Sequence, residues 1–192
     1  MKYYLAFRKF YQLAAKRMCR DCQRFLNEGS KILDLGCGSA IVAKEFQRFF
    51  KAEIFGLDII DQRVEKIPFQ IFDGINIPFA DNYFDNTLIS YVLHHVQNPT
   101  ALLEEAKRVT KKRIFIYEDL PEGFLAKLRC QIHSTTFSHF FQKNEEKGTF
   151  KNEKEWKKIF EELRLKIIFE KKVSSFLSLA KKKLFILEKT EA

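Results

Sequence analysis

The segment Lys31-Ile-Leu-Asp-Leu-Gly-Cys-Gly-Ser39 constrains the fold more than any other part of the chain. A short apolar strand runs straight into a glycine-rich turn, and residues from about Ala40 to Phe50 then follow helical spacing. Glycines there let the backbone turn tightly and approach a ligand where a Cβ would collide. A second strand, Glu53–Asp58, follows and ends on an acid. The stretch Ile59–Lys66 leaves room for at most a turn or two of helix before Pro68. Phe69–Asp73 then reads as a third strand, Phe84–Tyr91 as a fourth, Pro99–Val109 as a helix and Arg113–Glu118 as a fifth strand. Strands alternating with helices over short links predict an α/β fold, a mostly parallel sheet with helices on both faces.

Outside this core the rhythm differs. In residues 3–26 apolar positions recur every three or four residues with Arg and Lys between them, the pattern of an amphipathic helix, broken by Asn27-Glu28-Gly29. Residues 121–142 read as helical and rich in Phe and His, and 143–149 as a polar link. Asn152, with Glu155 three positions later, opens a helix to about Leu163. Leu165–Val173 and Leu184–Glu188 read as two strands that pair antiparallel, since no helix of normal length separates them. The expected organisation is one domain over 1–192: a cap helix in 1–29, a core in 30–118, a helical insert or lid in 119–150, and a helix with a strand pair in 151–192.

With 192 residues, 46% hydrophobic and only 7 Gly and 4 Pro, general disorder is excluded. No apolar run approaches the roughly 18 residues of a membrane span. The N-terminus lacks the apolar core and cleavage site of a secretory signal, so a cytoplasmic protein is expected. The net charge of +9 is uneven: residues 1–29 carry seven basic and two acidic side chains, 30–100 six and nine, and 101–192 twenty-one and fourteen. The basic flanks, with late runs such as Lys171–Lys172 and Lys181–Lys183, read as solvated surface or as a footprint for an anionic partner. Cys19 and Cys22 form a C-x-x-C, but it lies inside a helical pattern and has no second pair for zinc. They read as two small side chains on a helix, and no metal is expected.

Asp58 lies 22 residues after Gly36, at the end of the next strand. An acid so placed accepts hydrogen bonds from a ribose diol. Two details narrow the ligand. A dinucleotide fingerprint needs a small sixth residue in its glycine motif, and Ile41 stands there. Asp34, two residues before the first glycine, would set a carboxylate against a pyrophosphate, whereas a cation is welcome beside it. The site therefore suits a nucleoside bearing positive charge.

With these residues the chain resembles the class I S-adenosylmethionine-dependent methyltransferases, in the branch acting on small molecules. Ile32–Ser39 resembles the family's first motif, Gly56-Leu-Asp58 its ribose-binding acid and Phe72-Asp73-Gly74 its adenine-contacting acid. Ile77–Asp85 with Leu88–Val96 resembles its strand-four signature, and Leu102–Val109 its following helix. The resemblance covers about residues 30–118 and implies a Rossmann-like fold with S-adenosyl-L-methionine as cofactor. It implies that Asp34 orients the loop or helps hold the methionine amine, and that Gly36, Cys37 and Gly38 give the methionine part room. Asp58 would hold the ribose, Asp73 and Gly74 would flank the adenine edge, and Ile59 and Ser90 complete the cofactor-binding set. Two departures stand out: Ala40 replaces the family's third loop glycine, and the link between strands two and three is short.

His95, just beyond strand four, is the candidate general base; its neighbour His94 lies at the same edge, and His133 and His139 in the insert are expected within reach of the same cleft. Glu118 and Asp119 would bind a cationic or hydroxyl-bearing substrate or serve as turn residues. The aromatic insert, including Phe124, Phe137, Phe140 and Phe141, suits a small-molecule or lipid-like acceptor. An RNA- or protein-directed enzyme is the alternative. The Asn/Asp-Pro-Pro-aromatic signature for base amines is absent after strand four, where Ser90-Tyr-Val-Leu93 stands, so nucleic acid is not favoured. A non-catalytic binder of the same cofactor is a further alternative.

Overall fold

The computed structural model describes residues 7–120, 150–173 and 181–190. The elements are α1 (Arg8–Cys22), β1 (Lys31–Leu35), α2 (Ile41–Phe50), β2 (Glu53–Asp58), β3 (Phe69–Ile71), β4 (Phe84–Ser90), a 3-10 turn (Leu93–His95), α3 (Pro99–Val109), β5 (Thr110–Leu120), α4 (Glu153–Glu162), β6 (Leu165–Val173) and β7 (Lys181–Lys189). Residues 121–149 of the expected insert, with Cys130, His133, His139, Phe124, Phe137, Phe140 and Phe141, lie outside the described residues.

One sheet of seven strands runs β3-β2-β1-β4-β5-β7-β6. The first five are parallel, and β7 runs antiparallel to both β5 and β6. The inner strands of the sheet are buried on both sides because they are apolar at successive positions, the pattern that parallel sheets need. Alternation sorts the side chains by face. Leu33, Leu35, Ile114, Ile116, Phe185 and Leu187 pack with Leu102, Leu103, Trp156 and Phe160 of α3 and α4. Ile32, Leu88, Phe115, Tyr117, Leu184 and Ile186 pack with Met18, Cys22, Ala43 and Phe46 of α1 and α2. Each large apolar side chain buried in this way stabilises the fold by about 1.5–3 kcal/mol.

The expected fold class is the one observed, and the boundaries show local chemistry. Asn98 accepts from the Ala101 amide at 3.1 Å, and Pro99 fits the first helical position of α3. Asn152 and Glu155 close the capping box of α4. β4 stops at Ser90, one residue short of expectation, because Tyr91 takes φ +60°. β3 is shorter too, since Asp73 turns the chain. Ile59–Lys66 forms no helical turn but crosses the glycine loop, where the Val64 amide donates to Ser39 O at 3.0 Å.

β7 begins three residues before the apolar run. Its leading lysines pair with the end of β5, and Lys183, only 5% exposed, meets Glu153 at 2.7 Å and Glu170 at 3.2 Å. That lysine is an internal ion-pair residue, not solvated surface. The C-x-x-C reading stands: Cys19 and Cys22 are buried and free, and burial pushes both thiols up to about 12. Cys22 Sγ packs 3.3 Å from the Tyr117 hydroxyl, which donates to Met18 O. Among the described residues no cluster fit for a metal ion occurs, and no helix is long and apolar enough to cross a membrane.

Candidate active site

The glycine turn leaves β1 at the carboxyl edge of the sheet, where open α/β sheets place ligands. Gly36 (φ +75°), Gly38 (φ +48°) and Ala40 (φ +58°) are all left-handed. Ala40 thus holds a glycine-like conformation, which for an L residue costs roughly 1–2 kcal/mol. The Gly36 and Cys37 amides both donate to Leu57 O, at 2.7 and 3.1 Å, folding the turn back over β2. The Cys37 side chain rests on bare Gly56, where an added Cβ would sit 2.8 Å from its sulfur. Backbone, not side chain, therefore faces the crevice at Gly36–Gly38.

Two acids lie against this turn. Asp58 accepts from the Gly38 amide at 2.8 Å through one oxygen and from the Ile59 amide at 2.8 Å through the other. The Ile60 amide also bonds to this carboxylate, which with about four acceptor positions keeps room for a further donor. Burial raises the Asp58 carboxyl above its ordinary value, against the pull of the Gly38 and Ile59 amides. Asp34 is 1% exposed, and neither carboxylate oxygen has a hydrogen-bond partner among the described residues. Burial first, and then the charge of Asp58, push it up to about 7. A buried carboxylate without a partner is costly, so it marks a place where a cation or donor is expected.

Asp73 accepts from the Ile75 and Asn76 amides and from Asn76 Nδ2 at 2.7–2.8 Å, contacts that hold its carboxyl below the usual range. Gly74 follows at φ +83°, and a Cβ there would approach Ile59 Cγ2 to 3.1 Å. The Asp58–Ile59 corner and the Asp73–Gly74 turn thus touch. Exposed Ile59, Ile60, Ile71 and Ile75 rim them. Of these only Ile59 was expected; the signal for the others was apolar residues flanking acids at strand ends.

On the other side of β1, Leu35 pairs with Ile89, which sets half-buried Ser90 level with Gly36. Val92 packs on Gly36, where a Cβ would come within 2.4 Å of it. The 3-10 turn then separates the two histidines. His94 is 1% exposed and pairs through Nδ1 with Glu118 Oε1, which also accepts from the Asp119 amide at 3.0 Å. Burial pulls its imidazole down, but the charge and hydrogen bond of Glu118 outweigh that and leave it raised. Its ring stacks on Phe150, with centroids 4.7 Å apart. His95 is half-buried, with its ring centroid 4.1 Å from that of His94. The His94–Glu118 pair went unrecognised in the sequence, where the two residues stand 24 positions apart. Asp119 lies 3.7 Å from Lys182.

All ten expected site residues therefore lie along the carboxyl edge. Asp34, Gly36, Cys37, Gly38 and Asp58 share the turn, Ile59, Asp73 and Gly74 form the adjoining corner, and Ser90 and His95 stand across β1. A cationic nucleoside fits this arrangement, because an orphaned acid and bare backbone meet in one crevice.

The family model described as a methyltransferase domain matches residues 33–117. The demethylmenaquinone methyltransferase of Corynebacterium urealyticum is 37% identical over 90 residues, which cover 45% of this chain and 39% of that protein. The chain thus spans under half the length of the curated relatives it matches. Among solved structures, the PH0226 protein from Pyrococcus horikoshii OT3 superposes with a TM-score of 0.72 at 15% identity, covering 99% of each chain. The magnesium protoporphyrin IX methyltransferase of Synechocystis PCC 6803, solved with bound SAH, gives 0.70 at 14% identity, covering 94% of this chain and 84% of that one. These structures share the fold. The family match begins within β1, ends within β5 and takes in all ten of these residues, so over this part the chain is similar to a methyltransferase domain.

Proposed function

We propose that the chain binds S-adenosylmethionine at the carboxyl edge and transfers its methyl group to a small lipophilic acceptor of quinol type. The observation that carries the cofactor reading is Asp34, a buried carboxylate with no partner among the described residues, beneath a turn of bare backbone. Likeness to demethylmenaquinone methyltransferases over the cofactor-binding part supports the acceptor class.

When bound, the cofactor supplies a methyl carbon already activated by a sulfonium. The protein then has mainly to align the acceptor and exclude water, and such positioning can lower the barrier by up to roughly 7–11 kcal/mol. Asp34 draws the cationic methionine part into the turn, Gly36–Gly38 give it room, and Asp58 accepts from the ribose. Ile59, Asp73 and Gly74 take the base, and Ser90 closes the far side. His95 removes the proton that the acceptor must lose, a role worth about 10²–10⁴-fold. The His94–Glu118 pair beneath it holds the turn in place.

The test is incubation with methyl-labelled cofactor and chemically reduced naphthoquinones carrying short isoprenoid tails, read by mass spectrometry. A singly methylated product is expected, formed about 100-fold or more slowly by His95→Ala, with cofactor affinity unchanged. Cofactor binding without product from any quinol would remove the acceptor reading and leave the cofactor reading standing.

A further inference from the structure

The buried side of α1 is formed by Ala15, Met18, Cys19 and Cys22. Its opposite side carries Lys9, Lys16, Arg17, Arg20 and Arg24 around its end, all exposed. None of these five forms an ion pair with a described residue, whereas the flanking Arg8 and Asp21 are paired with Glu65 and Lys171. Among the cations stand Phe10, 52% exposed, and Leu13, 51% exposed, with Phe7 at 50% on the preceding turn. We infer that this face of α1 docks on an anionic lipid bilayer.

Four like charges on one side of a helix and a fifth just past its end, none paired with a described residue, repel one another, and two half-exposed apolar side chains gain nothing from water. A lipid surface of negative charge answers both: the cations meet headgroup phosphates while Phe10 and Leu13 reach the acyl boundary. A nucleic acid would satisfy the charges but offers no hydrocarbon in which to bury Leu13, so the bilayer is the favoured partner.

The placement in the fold adds a reason. Arg8 holds Glu65 at 2.5 Å, in the segment that crosses the glycine turn, while Arg113 at the start of β5 holds Phe25 O at 2.8 Å. The N-terminal end of α1, with its exposed apolar side chains, therefore stands at the carboxyl edge beside the crevice. Docking through it brings the crevice to the surface where an acceptor with an isoprenoid tail resides. Only this last point rests on the proposed acceptor.

The experiment is vesicle sedimentation of the full chain with phosphatidylcholine alone and with about one third phosphatidylglycerol, over a salt series. Binding to the anionic vesicles is expected, with little to the neutral ones and a loss as salt rises. Each cation near such a surface is worth roughly fivefold in partition, so Lys16→Glu with Arg20→Glu should weaken binding by about 25-fold or more. Phe10→Ser with Leu13→Ser should release the protein at unchanged charge. Titration with S-adenosylmethionine should give the wild-type affinity for both variants, showing that they are folded and separating this proposal from the cofactor reading. No sedimentation with anionic vesicles at low salt would overturn the inference, as would wild-type binding by the Phe10/Leu13 variant. Tighter binding to an oligouridine RNA, indifferent to Phe10→Ser, would overturn it in favour of nucleic acid.

Discussion

Asp34 shows how a binding residue weakens the protein that carries it. Its carboxyl titrates near 3.8 in the unfolded chain and at about 7 in the native one. Between those values the unfolded chain has released its proton and the native one has kept it. Stability of the unliganded protein therefore falls as pH rises from about 4 to about 7, then levels off. Asp34→Asn removes the fall. Urea unfolding at pH 8 should show a gain of up to about 4 kcal/mol, with little change at acid pH. The same variant should bind S-adenosylmethionine about tenfold or more weakly, because a cation loses its counter-charge. Gly36 is constrained in another way. Gly36→Ala meets both a left-handed φ and Val92 at 2.4 Å, and should cost more than about 1 kcal/mol. Val92→Ala in the same chain should restore part of that loss in thermal unfolding, leaving the backbone term. That Asp34 and the glycines share one turn was legible in the sequence, because their spacing is local. The sequence could not show that Asp34 lacks a partner, nor that His94 rather than His95 turns inward, since two adjacent residues in a 3-10 turn carry no periodicity.

The secondary-structure elements were legible where a cap or an uninterrupted apolar run defined them. α3 spans the expected residues because Asn98 and Pro99 fix its start. In α4 the capping box satisfies two backbone amides, at 3.1 and 2.6 Å, so Asn152→Ala should lower the unfolding free energy by about 1 kcal/mol and leave cofactor affinity unchanged. β7 and β6 were expected as a pair, but their order in the sheet needed the structure. In hindsight Leu184–Leu187, apolar at every position, marks the inner strand, while the mixed Lys and Glu residues of β6 mark the edge. The His94–Glu118 link joins the turn after β4 to the end of β5. Because the native imidazole is raised above its ordinary 6.5, its protonated form stabilises the fold below that pH. The contribution is lost as pH rises through the native value. Glu118→Gln should flatten this slope in thermal melts taken from pH 6 upward, about where imidazole titrates.

The whole molecule follows from alternation: the strands other than β3 send one set of side chains towards α1 and α2 and the other towards α3 and α4. The mostly parallel sheet was readable from the sequence, since strands and helices alternate over short links, but the order β3-β2-β1-β4-β5-β7-β6 needed the structure. The charge distribution was less readable, because counting lysines does not separate buried Lys183 from the exposed cations of α1. The whole account rests on that edge accepting a sulfonium nucleoside. Isothermal titration of the intact protein with S-adenosylmethionine tests this most directly. The account predicts one cofactor per chain with a Kd on the order of micromolar, weakening below about pH 7 as Asp34 gains its proton and abolished by Asp58→Ala. No heat at millimolar cofactor, or equal affinity in the Asp34→Asn and Asp58→Ala variants, would contradict it.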